Sequence, residues 1–414
     1  MTHPTTATGW RDAYTDLVEH IATKAGSASP VLTGQSACVD GLFTLTEERL
    51  ALLAAAASEA SADLAEARGS QLIRAALDRV KSGRGGELVY HWRGGPAWLI
   101  RLLGEPDRLQ LGGTGPQASW ALATVGARSV LALQDRSAQQ LSVIDPRTML
   151  CLGDRVVPAG EVVGVGKPSK LLHCVLEFAQ GTPFDGGSVA RSTRIILRFG
   201  DEPVEQDEDF AALTPTLPGV RAGLISGLNG PADDDLRGTA WLTMLARRWR
   251  DAGIPTIHHE LAEFPSTQRL RDAVDTRLGT SVGVSLSELT TLSGRTGDPR
   301  LLAVEVAERA GADRVVVHAD EWSMAVYRSQ DPRPVRQLLG GNLLAAARAR
   351  VGRPTDQLEP SPGAEFTDDR PADERMSRSW SATSVPTPYL RRPAATIGLG
   401  DTFVAGLLLA ESLP

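Results

Sequence analysis

Apolar residues recur near helical spacing over residues 9–25 (GWRDAYTDLVEHIATKA), which predicts an amphipathic helix broken by Ser27–Pro30. Val31–Asp40 is a short apolar stretch that ends in a carboxylate. Residues 45–82 read as two helices with Thr46 and Ser61 as caps, and a glycine-rich break follows at Ser82–Gly86. Residues 111–126 (LGGTGPQASWALATVG) read as a glycine-rich turn feeding a helix, and Ser129–Gln134 as a strand. From Arg155 to Phe199 strand-like runs dominate (RVVPAGEVVGV, LLHCVLEF, TRIILRF), which suggests part of a smaller sheet domain. Beyond Pro215 strands alternate with helices: Val220–Ser226, Asp233–Asp251, Thr256–Leu261, Thr267–Leu278, Ser281–Val284, Leu301–Ala310 and Arg314–His318. That alternation implies a parallel sheet covered on both faces. Residues 353–384, rich in Pro, Asp and Ser, read as an exposed excursion, and Thr396–Phe403 leads into a last apolar helix. No internal repeat is visible.

Composition narrows the class. With 414 residues, 42% hydrophobic and a net charge of −7, the chain is neither disordered nor collagenous, and it suggests two domains or one large α/β unit. An acidic balance without a dense Lys/Arg run argues against a nucleic-acid partner. The only lysines are Lys24, Lys81, Lys167 and Lys170, a bias that reads as genomic. Cys38, Cys151 and Cys174 have no CxxC spacing, so the spacing supports neither a disulfide framework nor a zinc site and points to a reducing cytoplasm. Phe403–Ala410 falls well short of the about 20 apolar residues of a membrane span, and the polar first 26 residues show no secretory apolar core.

Four segments carry candidate chemistry. In Gly398-Leu399-Gly400-Asp401-Thr402, two glycines at a helix start let backbone N–H groups approach an anion, and Asp401 can accept a proton from an attacking hydroxyl; a plain helix cap is the alternative. Gly112-Gly113-Thr114-Gly115 permits close approach to a polyhydroxy ligand or an anion, or is an ordinary strand-to-helix turn. Asp40, leaving the first strand, can accept from vicinal hydroxyls, although a turn aspartate is the simpler reading. Alternation along Ile257–Leu261 puts His258 and Glu260 on one face, where they suit either a magnesium–water site or a buried His–Glu hydrogen bond.

Taken in order, these segments resemble the ribokinase-like superfamily, and most closely its ADP-dependent sugar kinase branch. The matching pieces are VDGL from Val39, LGGTGPQASWALA from Leu111, HCVLEF from His173, LISGLNG from Leu224, HHELAEF from His258, SVGVSLSEL from Ser281, VVVHADEW from Val315, and VPT followed by TIGLGDTFVAG up to Gly406. The resemblance implies a three-layer α/β/α domain with a smaller β-rich lid. The large domain would take residues 1–40, 111–150 and 201–414; the lid would take 41–110 and 151–200. It implies that Asp401 is the general base and that Gly398, Leu399 and Gly400 form the anion hole. Asp40, Gly112, Gly113 and Thr114 would hold the sugar. Glu260, Glu288 and His258 would organise Mg²⁺. Arg194 would reach a nucleotide phosphate, and His318, Val385, Pro386 and Thr387 would border the base. ADP would be the donor and AMP the product. Ser285 and Leu286 depart from the family's asparagine and acidic residue. That departure leaves a non-catalytic sensor as an alternative, beside an ATP-using kinase. Glucose and fructose 6-phosphate are both admissible acceptors, with Arg191, Arg198 or Arg101 as candidate phosphate partners. The sequence does not specify an oligomeric state.

Overall fold

Two crossings between sheets, both before residue 115, position everything that follows. The computed structural model describes residues 4, 6–58, 62–184, 187–189, 192–232, 235–395 and 397–414. Helix α1 (Ala7–Lys24) buries Trp10, Tyr14, Leu17 and Ile21 along one stripe. Strand β1 (Val31–Thr33) enters a large sheet, whereas β2 (Cys38–Thr44) belongs to a smaller one. The apolar stretch read from Val31 to Asp40 is therefore two strands, and positive φ at Gly34 and Gln35 (146° and 75°) turns the chain between them. Helices α2 (Glu47–Ser58) and α3 (Leu64–Lys81) follow. Thr46 Oγ1 accepts from Arg49 N as expected. The expected cap Ser61 lies outside the described residues, and Asp63 caps α3.

After β3 (Gly86–Val89), α4 (Gly95–Leu103) and β4 (Arg108–Gly112), the chain crosses back into α5 (Thr114–Thr124). The two crossings touch backbone to backbone. A Cβ on Gly113 would meet Ser36 O at 2.0 Å, and one on Gly115 would meet Gly34 N at 2.4 Å. The second crossing thus stays closed only because these positions lack side chains.

Strands β5 (Ser129–Leu131), β6 (Met149–Leu152) and β7 (Arg155–Pro158), with α6 (Ala138–Leu141) between the first two, extend the large sheet. This corrects the reading of Arg155 onward as part of the smaller sheet: β7 pairs antiparallel with β6 at the large sheet's edge. The chain then returns to the small sheet through β8 (His173–Phe178), a short hairpin β9 (Pro183–Phe184) and β10 (Gly187–Ser188), and β11 (Thr193–Arg198). Next come α7 (Glu208–Leu213), β12 (Ala222–Ile225), α8 (Leu236–Asp251), β13 (Thr256–Glu260), α9 (Thr267–Asp275), β14 (Ser281–Ser285), α10 (Leu286–Ser293), α11 (Pro299–Ala310) and β15 (Arg314–His318). Of the helix expected from Asp233, Asp233 itself lies outside the described residues, and Asp235 caps α8.

The last elements are β16 (Trp322–Arg328), α12 (Val335–Val351), β17 (Glu374–Arg375), β18 (Trp380–Pro386) and α13 (Leu399–Ser412). The expected excursion at 353–384 holds only up to β17, because β18 is a buried strand paired antiparallel with β16. Thr396, where the last unit was read to begin, lies outside the described residues.

The large sheet runs β17-β18-β16-β15-β14-β13-β12-β1-β5-β6-β7. Its central strands from β15 to β6 are parallel and its outer pairs are antiparallel. Helices α8–α11 pack on one face around Trp249, Leu270 and Leu302; α1, α5, α12 and α13 pack on the other around Leu122, Leu343 and Val404. Three layers result, as the alternation predicted. Within β12 the bare Cα of Gly223 faces the Trp249 ring, where a Cβ would fall 2.6 Å away.

The small sheet runs β3-β11-β8-β2-β4. Its period-2 alternation separates two chemistries. Phe43, Cys174, Leu176, Ile195 and Leu197 point into a core with Ile73 and Trp98 of α3 and α4. Asp40, Glu87, His173, Arg194 and Arg198 occupy the alternate positions. Among the described residues no helix is long and apolar enough to cross a membrane.

Helices α12 and α13 meet at Gly340 and Gly406, where a Cβ on Gly406 would lie 2.0 Å from Gly340 O. Gly406→Ala is expected to destabilise the fold by about 1–3 kcal/mol through overpacking, seen as a lowered melting temperature. An unchanged Tm would show that the helices can separate freely.

Candidate active site

The N-terminus of α13 is built over a buried arginine. Gly398 adopts a left-handed conformation (φ 69°), and a Cβ there would lie 2.3 Å from the Arg348 guanidinium. Arg348, on α12, is 2% exposed. Its Nη1 donates to Gln117 Oε1 at 2.8 Å and to Thr402 Oγ1 at 2.9 Å, while the Thr402 hydroxyl donates to Gly398 O at 2.8 Å. Three helices are thereby tied to one turn. Burial pulls the guanidinium down to about 10, and the charge of Asp401 opposes that fall. It remains a cation at neutral pH.

Asp401 stands in the first turn of α13 and is partly accessible. Its recessed position raises its pKa. Arg348, a hydrogen bond from Thr114 and Arg194 pull the other way, and Glu260 adds to the rise. The first N–H groups of α13 lack acceptors within the helix, so the turn offers donors and a positive dipole end to an anion. Gly398, Leu399, Gly400, Asp401 and Thr114 are thus brought together as the sequence suggested.

Glu260, at the end of β13, is held by two imidazoles. His258 Nε2 lies 3.0 Å from its Oε2 and His318 Nε2 lies 3.1 Å from its Oε1. Burial would raise the Glu260 carboxyl, but these hydrogen bonds and charges outweigh it and bring it down to about 2. His258 Nδ1 is 2.9 Å from Ser281 Oγ, so both its ring nitrogens are used, and the ring is fully buried. His258 therefore orients Glu260 and has no nitrogen left for a metal. Gly283 leaves the space that Glu260 fills, since a Cβ would meet Oε2 at 1.7 Å.

Glu288 serves first as a capping residue. Its Oε2 accepts from Ser285 N at 2.7 Å, and Ser285 Oγ accepts from Glu288 N at 3.2 Å. Ser285 thus completes a capping box that starts α10. Burial raises the Glu288 carboxyl, with nearby Glu260 adding to the effect.

A cavity of about 150 Å³ opens beside Gly113 and Thr114, and Asp40, Glu87, Lys170, His173, Arg198 and Glu202 line it. Gly112 gives Asp40 its place: a Cβ there would lie 2.4 Å from Asp40 Oδ1. His173 bridges Asp40 (3.3 Å from Nδ1) and Glu202, which pairs with Nε2. Burial would lower the imidazole, but Cys38, Glu202 and Asp40 hold it well above the ordinary histidine value. Lys170 Nζ donates to Ala37 O at 2.6 Å and faces Glu205, and Arg198 Nε pairs with Glu87 at 2.9 Å. Each of these cations thus faces a carboxyl, although burial pushes Glu205 up to about 7 and raises Glu87 as well. Of the other arginines considered, Arg101 is exposed on α4 and Arg191 lies outside the described residues.

A second cavity, of about 500 Å³, lies where the small sheet meets the segment before α13, lined by Arg194, Arg108, Glu177, Arg353 and Ile397 among others. Among the described residues Arg194 Nε is buried without a hydrogen-bond partner. Val385 and Pro386 line neither cavity. Val385 is fully buried, and Pro386 O accepts from the Tyr14 hydroxyl at 2.7 Å. Thr387 is buried beside them, with Oγ1 unpartnered. His318 instead faces Glu260, Gly400 and the Phe403 ring, 5.3 Å away between centroids.

No motif along the chain points to Arg348, Glu202 or Lys170. His173 was visible within HCVLEF but had no partner to give it a role, because Asp40 and Glu202 reach it only across strands.

Comparison with known proteins identifies the family and the fold. The family described as "ADP-specific Phosphofructokinase/Glucokinase conserved region" matches residues 29–410. A phosphofructokinase from Pyrococcus horikoshii OT3, solved with AMP, superposes with TM-score 0.74 at 17% identity, covering 92% of this chain and 97% of that one. An ADP-dependent kinase in complex with fructose-6-phosphate and ADPβS superposes with TM-score 0.78 at 15% identity, covering 98% of each chain. With the family matched over nearly its whole length and the ribokinase-like fold shared with these structures, the chain belongs to the ADP-dependent phosphofructokinase/glucokinase family of carbohydrate kinases.

Proposed function

We propose that the protein transfers the β-phosphoryl group of ADP to a hydroxyl of an unphosphorylated sugar, releasing AMP. The observation that carries this reading is the position of Asp401 at the start of α13: it is hydrogen-bonded to Thr114, which lines the polar cavity, and feels the charges of Arg194, which lines the other cavity, and of the buried Arg348, although Asp401 itself lines neither cavity. The smaller cavity would take the sugar, with Asp40 accepting from its hydroxyls. Asp401 would remove the proton from the attacking hydroxyl, and the first N–H groups of α13 would stabilise charge on the transferring group. The donor phosphates would meet Arg194 from the wall formed by the small sheet. That sheet, with α2–α4, would act as a lid whose closure excludes water and suppresses hydrolysis of ADP.

Mg²⁺ fits the residues near Glu260. Oxygen donors suit this ion, which keeps much of its water shell. Glu288 has one carboxylate oxygen outside its capping box, and Glu260 stays ionised, so the two can accept from metal-bound waters. When bound there, Mg²⁺ would neutralise charge on the donor phosphates. His258 has no part in that set.

The pairing of the cavity's cations favours a neutral acceptor. A sugar phosphate needs an uncommitted cation, whereas Lys170 and Arg198 are paired with Glu205 and Glu87. Glucose is therefore expected to be turned over with a higher kcat/KM than fructose 6-phosphate; the reverse order would overturn the acceptor assignment.

Asp401→Asn is expected to lower kcat by about 10²–10⁴ with little change in sugar affinity measured by calorimetry. Since Asp401 acts as the ionised base and its pKa is raised, activity should fall as pH drops through a value above the ordinary aspartate range. That acid limb should vanish in the asparagine variant. Equal turnover would remove the assignment. Arg348→Lys keeps a charge but loses the planar fork; kcat should drop at least about tenfold, with the sugar KM nearly unchanged. A variant that altered only KM would contradict the placement beneath the turn.

A further inference from the structure

At the inner end of β2, three different donor atoms converge. Cys38 Sγ lies 3.7 Å from Asp40 Oδ1 and 3.5 Å from His173 Nδ1, and that nitrogen is 3.3 Å from Asp40 Oδ1. All three residues are buried, and the three atoms form one compact triangle. A tetrahedral zinc ion with Zn–S, Zn–N and Zn–O bonds of about 2.3, 2.05 and 2.0 Å spaces its ligands about 3.5 Å apart for the two sulfur edges and about 3.3 Å for the N···O edge. The triangle matches those edges within about 0.2 Å.

The surroundings have the other features of a metal centre. His173 Nε2 is paired with Glu202, as a ligating imidazole pairs its outer nitrogen with a carboxylate. The other side of the ring is drawn less tightly: at 3.3 Å the Nδ1–Asp40 contact is longer than the about 2.7–2.9 Å of a charge-assisted hydrogen bond. One side of the triangle rests on the bare Cα of Gly112, where a Cβ would lie 2.4 Å from Asp40 Oδ1 and 2.5 Å from Cys38 Sγ. All three donors also line the 150 Å³ cavity, which leaves room for a water or hydroxyl as a fourth ligand. Cys174, the next residue after His173, faces the helix-side core, so only one thiol is available here.

We propose that Cys38, Asp40 and His173 form a binding site for a zinc-class divalent ion, with Glu202 orienting His173. One thiolate and one imidazole favour such an ion over Mg²⁺, which selects oxygen. Binding releases the Cys38 thiol proton and the His173 Nδ1 proton to solvent, leaving thiolate, neutral imidazole and carboxylate around the ion. A further consequence rests on the sugar-site reading above: the ion takes Asp40 from the acceptor, so zinc and sugar compete.

The test is titration of Co²⁺ into the metal-stripped, full-length protein without nucleotide or sugar. One equivalent should bind, with the near-ultraviolet sulfur-to-cobalt charge-transfer band of a tetrahedral site. Cys38→Ser should abolish that band, His173→Gln should weaken affinity at least about tenfold, and Cys151→Ser should change neither. No binding at micromolar Co²⁺, or a band that survives Cys38→Ser, would overturn the site. X-ray absorption of the zinc-loaded wild-type protein avoids any folding defect in the variants: one sulfur at about 2.3 Å supports the site, and a shell of nitrogen and oxygen alone overturns it. Glucose added to the cobalt protein should weaken cobalt binding at least threefold. Cobalt affinity indifferent to glucose would leave the metal site standing and remove the placement of the sugar at Asp40.

Discussion

The guanidinium of Arg348 under the Gly398 turn is the contact on which the catalytic end of the molecule depends. A cation buried to 2% exposure is costly unless its donors are satisfied. Gln117 from α5 and Thr402 from α13 take its Nη1 and the ionised Asp401 supplies opposite charge, while Nε finds no hydrogen-bond partner among the described residues. Glycine at 398 is required twice, once for its positive φ and once because a Cβ would strike the guanidinium. The turn thus couples three helices on one face of the large sheet. Its N–H groups are aimed before any ligand arrives, so no reorganisation is needed at the moment of reaction.

The second constraint is the passage of the chain between sheets. The first two of the four crossings run beside Ser36 and Gly113, and their close backbone approach carries Asp40 and Thr114 to the same cavity. Asp40 belongs to the small sheet, and Thr114 starts a helix of the large domain. Any movement of one sheet against the other would therefore alter the distance from Asp40 to Thr114 and to Asp401, which Thr114 contacts by a hydrogen bond.

Much of this was legible in the sequence where signals are local. The strand–helix alternation after Val220 gave the parallel sheet, and the Gly398–Thr402 turn gave the start of α13 with Asp401 in its first turn. Period-2 reasoning placed His258 and Glu260 on one face, and they are in contact there. What was not legible depends on partners distant in sequence. His318 reaches Glu260 from another strand, Arg348 reaches the turn from α12, and Glu202 reaches His173 from the loop after β11. The departure at Ser285 looked like a damaged metal motif, yet its hydroxyl begins α10 through a capping box. Strand β18 was hidden because Ser381, Thr383 and Ser384 give a polar run, although Thr383 and Ser384 are fully buried in a strand paired with β16. Cysteine spacing along the chain gave no metal signal, because the donors near Cys38 converge across β2 and β8 rather than along one segment.

In the proposed reaction Asp401 works between an acceptor and the terminal phosphate of a nucleoside diphosphate. Phosphorus-31 NMR of the purified protein with ADP, Mg²⁺ and glucose follows that phosphate directly. The β-phosphorus resonance of ADP should be replaced by a sugar monophosphate ester and an equal amount of AMP. ADP that binds but persists unchanged across a range of sugars, or a γ-phosphorus transferred from ATP in its place, would contradict it.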